Sequence, residues 1–275
     1  MLTLAVDGPL ATVTLDRPPV NAWDDDALDR LDAITARLAA SPQVRLAVVR
    51  SAGRHFSAGG DIAMMAAAVD SGDVTALNRF AGRIQHAFTL WAELPVPTLA
   101  VLRGAVTGGG LEFALACDLR IAAEGSRIGL PESQLGLVAA GGGTQRLTAA
   151  IGRGAAMRIM LTAELVDGRR AAELGIVEWC VPDADLDAEV DAVTARILAG
   201  SAAAQRAAKE CVARAGTAAG FAAETVSQRR LHADPDTQNR LRRFLHDRRT
   251  QHGRTQHGRT QSSRTQNTET KEIDT

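Results

Sequence analysis

Two acidic side chains sit in frames of small residues. Glu112 closes the run Gly108-Gly109-Gly110-Leu111-Glu112, and Glu132 follows Pro131 in Leu130-Pro131-Glu132-Ser133. A further frame, Phe56-Ser57-Ala58-Gly59-Gly60-Asp61, lies upstream. Consecutive glycines let a backbone approach a ligand closely, and glycines that open a helix leave N–H groups unpaired at the positive end of its dipole. Gly108 to Gly110 fit that description, and Ala58-Gly59-Gly60 offers a second N–H, so a developing oxyanion has two donors. Two carboxylates beside such a hole can take a proton from water and deliver one to carbon. Each piece alone has a plainer reading. A glycine run is a tight turn, Glu112 is an acid favoured by the helix dipole, and Glu132 is a solvated loop acid on the rigid support of Pro131. Together they point to acid–base chemistry beside a stabilised oxyanion.

Other chemistries find less support. Gly141-Gly142-Gly143-Thr144 has no following Lys for a Walker-type phosphate loop, and Gly104 to Gly110 lacks the Gly-x-Gly-x-x-Gly spacing of a dinucleotide site. Ser57 stands in no Gly-x-Ser-x-Gly elbow, and His55 is read as a turn or surface histidine rather than a triad base. The six histidines form no His-x-x-x-His or Cys/His set, so no metal is expected. Tyrosine is absent, so an oxyanion hole must use backbone or other side chains.

The elements that must position these groups are legible in the hydrophobic pattern. Leu2, Leu4 and Val6, then Val13 and Leu15, alternate on either side of Asp7-Gly8-Pro9, which predicts two antiparallel strands. Asp24, Asp25 and Asp26 precede Leu28, Leu31, Ile34 and Leu38, a helix with acids at its positive end that stops at Ser41-Pro42. Val44 to Val49 reads as a strand covered on both faces. A helix from about Val74 to Glu93, a strand at Pro97 to Leu102, a helix opening at Gly108 to Gly110 and a strand near Leu119 to Ala122 continue the alternation. From Thr144 the pattern is helical, with Ile176 to Val181 as a β-like interruption, so an α/β core with a helical C-terminal portion is expected. After Asp247 four degenerate five-residue repeats starting at Arg249, Arg254, Arg259 and Arg264 carry no large apolar residue until Ile273, and disorder is expected there.

Bulk properties set the class. A chain of 275 residues with 45% hydrophobic content has ample material for a core. Lys+Arg 31 against Asp+Glu 32 gives a net charge of −1, which gives no general attraction to nucleic acid or anionic membranes. Cys117, Cys180 and Cys211 are widely spaced and odd in number, which suits reduced thiols in a cytosol. Without a basic-then-apolar leader or a long apolar run, the expectation is a soluble, unexported, cytoplasmic protein.

With these pieces in order, the sequence resembles the crotonase family, also called the enoyl-CoA hydratase/isomerase family, from about Leu2 to Arg248. The segments that carry the resemblance are Arg17-Pro18-Pro19-Val20-Asn21-Ala22, Phe56 to Ile62, Gly104 to Glu112, Ala116-Cys117-Asp118, Pro131-Glu132 and Gly142 to Leu147. Six segments in order are far more specific than one. The resemblance implies a spiral of ββα units over residues 1–190, a helical trimerisation region over 191–248, and a tail over 249–275 that has no family counterpart. It implies an acyl-CoA thioester as substrate, no cofactor beyond the coenzyme A that is part of that substrate, and a homotrimer or dimer of trimers. By position the oxyanion N–H groups fall on Gly60 and Gly109 and the catalytic acids on Glu112 and Glu132. The implied substrate contacts are Val20, Ala22, Ala58, Gly60, Asp61, Ile62, Ala63 and Ala140. Retaining both acids favours hydration of a trans-2-enoyl-CoA over isomerisation, decarboxylation or thioester hydrolysis, and over a non-enzymatic RNA-binding role through the Arg-rich tail, which has no aromatic residues for base stacking. One departure is Ala139-Ala140, where many hydratases have Pro-Gly before the residue matching Gly141.

Overall fold

A computed structural model describes residues 1–248; the repeats from 249 to 275, and the disorder expected of them, lie outside the described residues. The described chain falls into two compact units, the first ending at Lys209 and the second beginning at Glu210. In the first unit, β1 (Leu2–Asp7) and β2 (Leu10–Leu15) pair antiparallel through the turn at Gly8-Pro9, as the alternation predicts. Asp24 then caps α1 (Asp25–Ala39), its carboxylate accepting from the Ala27 N–H at 2.8 Å, so the acidic start acts as a cap as well as a dipole partner.

The remaining strands of the main sheet are β3 (Leu46–Ser51), β4 (Thr98–Leu102), β6 (Leu119–Ala123) and β8 (Trp179–Val181), and the sheet order is β1-β2-β3-β4-β6-β8 with every pair after the first parallel. Parallel strands need crossovers, and here those that leave β3, β4 and β6 first enter a second, shorter layer. After β4 the chain forms β5 (Ala105–Thr107), and after β6 it forms β7 (Arg127–Gly129); these two pair parallel with each other. After β3, Ser57 bridges in parallel to Val106 and so joins the same layer. Each turn of chain is therefore a long strand, a short strand and a helix. The three-residue strands β5 and β7 carry too little pattern to be seen in sequence.

Both faces of the main sheet are covered. Ala47, Val49, Ala100, Leu102 and Ala122 face a large core containing Trp23, Phe56, Phe88, Trp91 and Phe113. The alternate residues Leu46, Val48, Leu99, Val101, Ile121 and Ala123 face a smaller core formed with Leu186, Val190 and Val193 of α7 (Leu186–Ala199). This explains why β3 reads as a continuous apolar run. Helix α7 covers that face of the sheet and so lies within the first unit. Leu99 is fully buried in this smaller core, away from the glycine-framed acids, so Leu99→Ala is expected to lower unfolding free energy by about 2–5 kcal/mol with an unchanged denaturant slope. Urea titration measures both.

Three further helices enclose the chemistry: α2 (Ile62–Asp70), α3 (Val74–Ala92) and α4 (Gly109–Ala116). The next long helix, α5 (Gly143–Thr162), starts after the Gly141-Gly142 turn and has non-helical backbone at Gly152. Helix α6 (Gly168–Leu174) leads into β8, and α8 (Ala202–Val212) follows α7. In the second unit, Thr217 caps α9 (Ala218–Ala233) through the Gly220 N–H. The C-terminal portion is helical, as expected.

Candidate active site

The site forms where the short layer hands over to helices. Gly108 has φ of 54°, a left-handed conformation that a side chain resists, and this sharp reversal at the end of β5 aims the start of α4 into the interior. Gly110 packs directly on the Phe56–Ala58 segment; a Cβ there would lie 2.1 Å from the Ser57 carbonyl oxygen. Asn21 fixes that segment from the other side by donating to the carbonyls of His55 and Phe56 at 2.8 and 3.0 Å, while the Ala58 N–H donates to Val20 O at 2.9 Å. The two glycine turns are thereby pressed together: a Cβ at Gly109 would lie 3.5 Å from the Gly60 nitrogen. Neither the Gly60 nor the Gly109 N–H has an acceptor among the described residues. Such a pair of free amides, one at a helix start, is suited to a developing oxyanion.

Glu112 lies in the first turn of α4 and is only 4% exposed. Its Oε1 accepts from the Gly143 N–H at 2.8 Å, and a Cβ at Gly141 or Gly143 would come within 2.7 or 2.8 Å of its carboxylate oxygens, so only glycine fits that turn. Burial is the main influence and pushes its pKa up to about 7; the amides of Gly143 and Gly141 and the Arg146 charge pull downward, while neighbouring Glu132 pushes up. The helix dipole alone leads one to expect the reverse direction. A carboxylate with that pKa exchanges protons readily near neutral pH.

Glu132 opens a single 3-10 turn, Glu132–Leu135. It is half-buried rather than solvated as its loop reading suggests. Its Oε2 is buried with no hydrogen-bond partner, burial raises its pKa, and its Oε1 would lie 3.3 Å from a Cβ at Gly108. An unpartnered buried carboxyl oxygen is costly unless something else engages it.

Both acids and both free amides face one cavity of about 370 Å³. Ala58, Ile62 and Ala140, expected as substrate contacts, also line it. Val20, Ala22, Asp61 and Ala63 do not. Asp61 instead caps α2, its Oδ1 accepting from Ala63 and Met64 N–H at 3.1 Å, and its Oδ2 pairs with Arg17 at 3.1 Å; these bonds hold its carboxyl below the usual range. The Ala22 carbonyl accepts from Arg17 Nη1 at 3.1 Å. Missing from the sequence-based set are the apolar walls: Met65 from α2, Leu77, Phe80 and Ile84 from α3, and Leu137 and Val138 beyond the 3-10 turn. The unbroken apolar stretch Ile62 to Val69, which forms a helix without one buried residue, was the available signal.

The enoyl-CoA hydratase/isomerase family model matches residues 6–254. The chain belongs to the enoyl-CoA hydratase/isomerase family. It is 36% identical over 176 residues to a probable enoyl-CoA hydratase of Bacillus subtilis, spanning 64% of this chain and 67% of that relative. Among solved structures, it is similar to DspI of Pseudomonas aeruginosa at 32% identity and TM-score 0.82, covering 90% of this chain and 94% of the other. It is also similar to an enoyl-CoA hydratase from Bacillus anthracis at 26% identity and TM-score 0.84, covering 90% and 96%. The α/β architecture with its helical C-terminal region is thus that of the crotonase-fold proteins. Among the described residues no helix is long and apolar enough to cross a membrane, and no group of three or more His, Cys, Asp and Glu is arranged to hold a metal ion.

Proposed function

We propose that the protein is an enoyl-CoA hydratase that adds water across the double bond of a trans-2-enoyl-CoA to give a 3-hydroxyacyl-CoA. The observation that carries this reading is the meeting of a buried carboxylate, a half-buried one and two acceptor-free amides on one apolar-walled cavity. The thioester oxygen accepts from the Gly60 and Gly109 N–H groups, which stabilise the enolate formed when C3 is attacked. Ionised Glu112 takes a proton from the attacking water as its oxygen bonds to C3. Protonated Glu132 delivers a proton to C2, and the pair is reset by exchange with solvent. The apolar side chains of α2 and α3 suit the acyl chain, and the loop from Arg17 to Ala22 is assigned to the coenzyme A nucleotide. We place the enzyme in the cytoplasm, in acyl-CoA breakdown, as a homotrimer or dimer of trimers that uses no added cofactor.

Loss of the conjugated-enoyl absorbance on adding a trans-2-enoyl-CoA tests the reading; persistence of that absorbance across a panel of chain lengths would reject it. Isomerisation is the second reading, favoured by one feature: Ala140 places a methyl-bearing residue in the cavity wall next to Gly141, whose amide serves Glu112. If that methyl crowds the water, Ala140→Gly raises the ratio of hydration to isomerisation of the same acyl-CoA, by roughly tenfold if one ordered water is restored. An unchanged ratio removes Ala140 from the account.

A further inference from the structure

Glu112 depends on the turn from Ala140 to Gly143, and that turn is gripped by side chains that do not line the cavity. Arg146, half-buried in the first turns of α5, donates from Nη1 to the Gly141 carbonyl at 2.9 Å and from Nη2 to Thr89 Oγ1 of α3 at 3.3 Å. Gln85, one turn earlier on α3, donates from Nε2 to the Ala140 carbonyl at 3.2 Å. The guanidinium lies so close to the turn that a Cβ at Gly142 would stand 2.1 Å from Nη1. The same turn presents the Gly143 N–H to Glu112. Arg146 itself lines a separate polar recess of about 410 Å³ with Gln85, His86 and Thr89.

We propose that Arg146 is a positioning residue: it locks the Gly141–Gly143 turn, so that the turn's amides hold the Glu112 carboxylate, and it supplies the cation that Glu112 senses, without touching substrate. Two charged groups act on Glu112, namely Glu132 from the 3-10 turn and Arg146 from α5. From α3 the residue at this corner is the apolar Ile84. His86 lies in the outer recess, and the Cys117 thiol, pushed up to about 12 by burial, stays neutral. Removing the Arg146 charge and releasing the two amides act in the same direction, since both favour ionised Glu112. Glu112 then titrates at higher pH.

This inference rests on Glu112 as the base for its kinetic readout, but its primary readout needs no activity. The full chain, labelled with glutamate carboxyl carbon-13, is titrated by NMR, with Glu112→Gln assigning the resonance. The proposal predicts that Arg146→Gln moves the Glu112 midpoint upward by about one pH unit or more and lowers kcat at pH 7 by roughly tenfold to a hundredfold, with KM within about threefold. Arg146→Lys keeps the charge but loses the two-pronged grip, so it should restore most of the midpoint and only part of kcat. A folded Arg146→Gln protein whose Glu112 titrates as in the parent overturns the proposal. If Arg146→Gln does not fold, Arg146→Lys decides, because parental kcat there overturns the grip. If the protein hydrates no enoyl-CoA, the functional reading fails while the carboxyl titration still judges Arg146.

Discussion

Glu112→Gln is expected to lower kcat by about 10²–10⁴-fold while leaving the protein more stable than its parent above pH 7. The kinetic half follows from loss of a positioned base: the amide can still accept from Gly143 but cannot take a proton from water. The stability half follows from the raised pKa. Glu112 ionises near 7 in the folded chain against an ordinary 4.5, so the folded state holds an extra proton between those values. Its stability relative to the unfolded chain therefore declines as pH rises through that window, by an amount on the order of 3 kcal/mol once both states are ionised. Gln never ionises and escapes that loss. Parental kcat in this variant removes Glu112 from the chemistry, and a variant less stable at pH 8 shows that the buried charge is better compensated than the geometry indicates. In the parent, kcat should rise with pH through about 7 as Glu112 ionises and fall again at higher pH as Glu132 loses the proton it delivers to C2. Glu132→Gln should show a comparable kcat loss, since its unpartnered oxygen is assigned to C2.

Gly109→Pro is expected to fold and to lose about 10²–10³-fold in kcat, whereas Gly109→Ala loses far less. Gly109 is the first residue of α4, where proline is well tolerated because the N–H there has no helical partner. That same N–H is the proposed oxyanion donor, so proline deletes one catalytic hydrogen bond. An added methyl at Gly109 meets Trp23 at 3.4 Å and Gly59 and Gly60 at 3.5 Å, which is ordinary contact. Equal losses for Pro and Ala make the role of Gly109 steric. Circular dichroism on both variants separates lost catalysis from lost fold.

How far these residues could be read in advance depended on whether their signal was local. Glu112 declared itself because three glycines precede it and the helix they start is set by local rules; the capping Asp24 and the alternating strands β1 and β2 are local in the same way. Burial is not local. Glu132 looks like a loop acid, and it becomes an unpartnered buried one only because Gly108 and the cavity close around it. Gly141 and Gly143 look like flexible spacers until Glu112 lies against them from a helix that begins over thirty positions earlier. Helix α2 gives no helical signal because its apolar side chains have no polar face to set a period, and Ile62 and Met65 border the cavity instead of packing into a core. The role of the Asp61 carboxylate is likewise set by the fold: it follows the Gly59-Gly60 turn, caps α2 and pairs with Arg17.

The central claim is that water is added across an enoyl thioester by two acids beside two glycine amides. Mass spectrometry of the product formed from a trans-2-enoyl-CoA in water labelled with oxygen-18, and separately in heavy water, tests it most directly. One oxygen-18 in the hydroxyl at C3 and one deuterium at C2 are expected, with both labels entering product about 10²–10⁴-fold more slowly in Glu112→Gln and Glu132→Gln. Deuterium uptake or a shifted double bond without incorporated oxygen-18 would contradict it and assign the same site to proton shuttling.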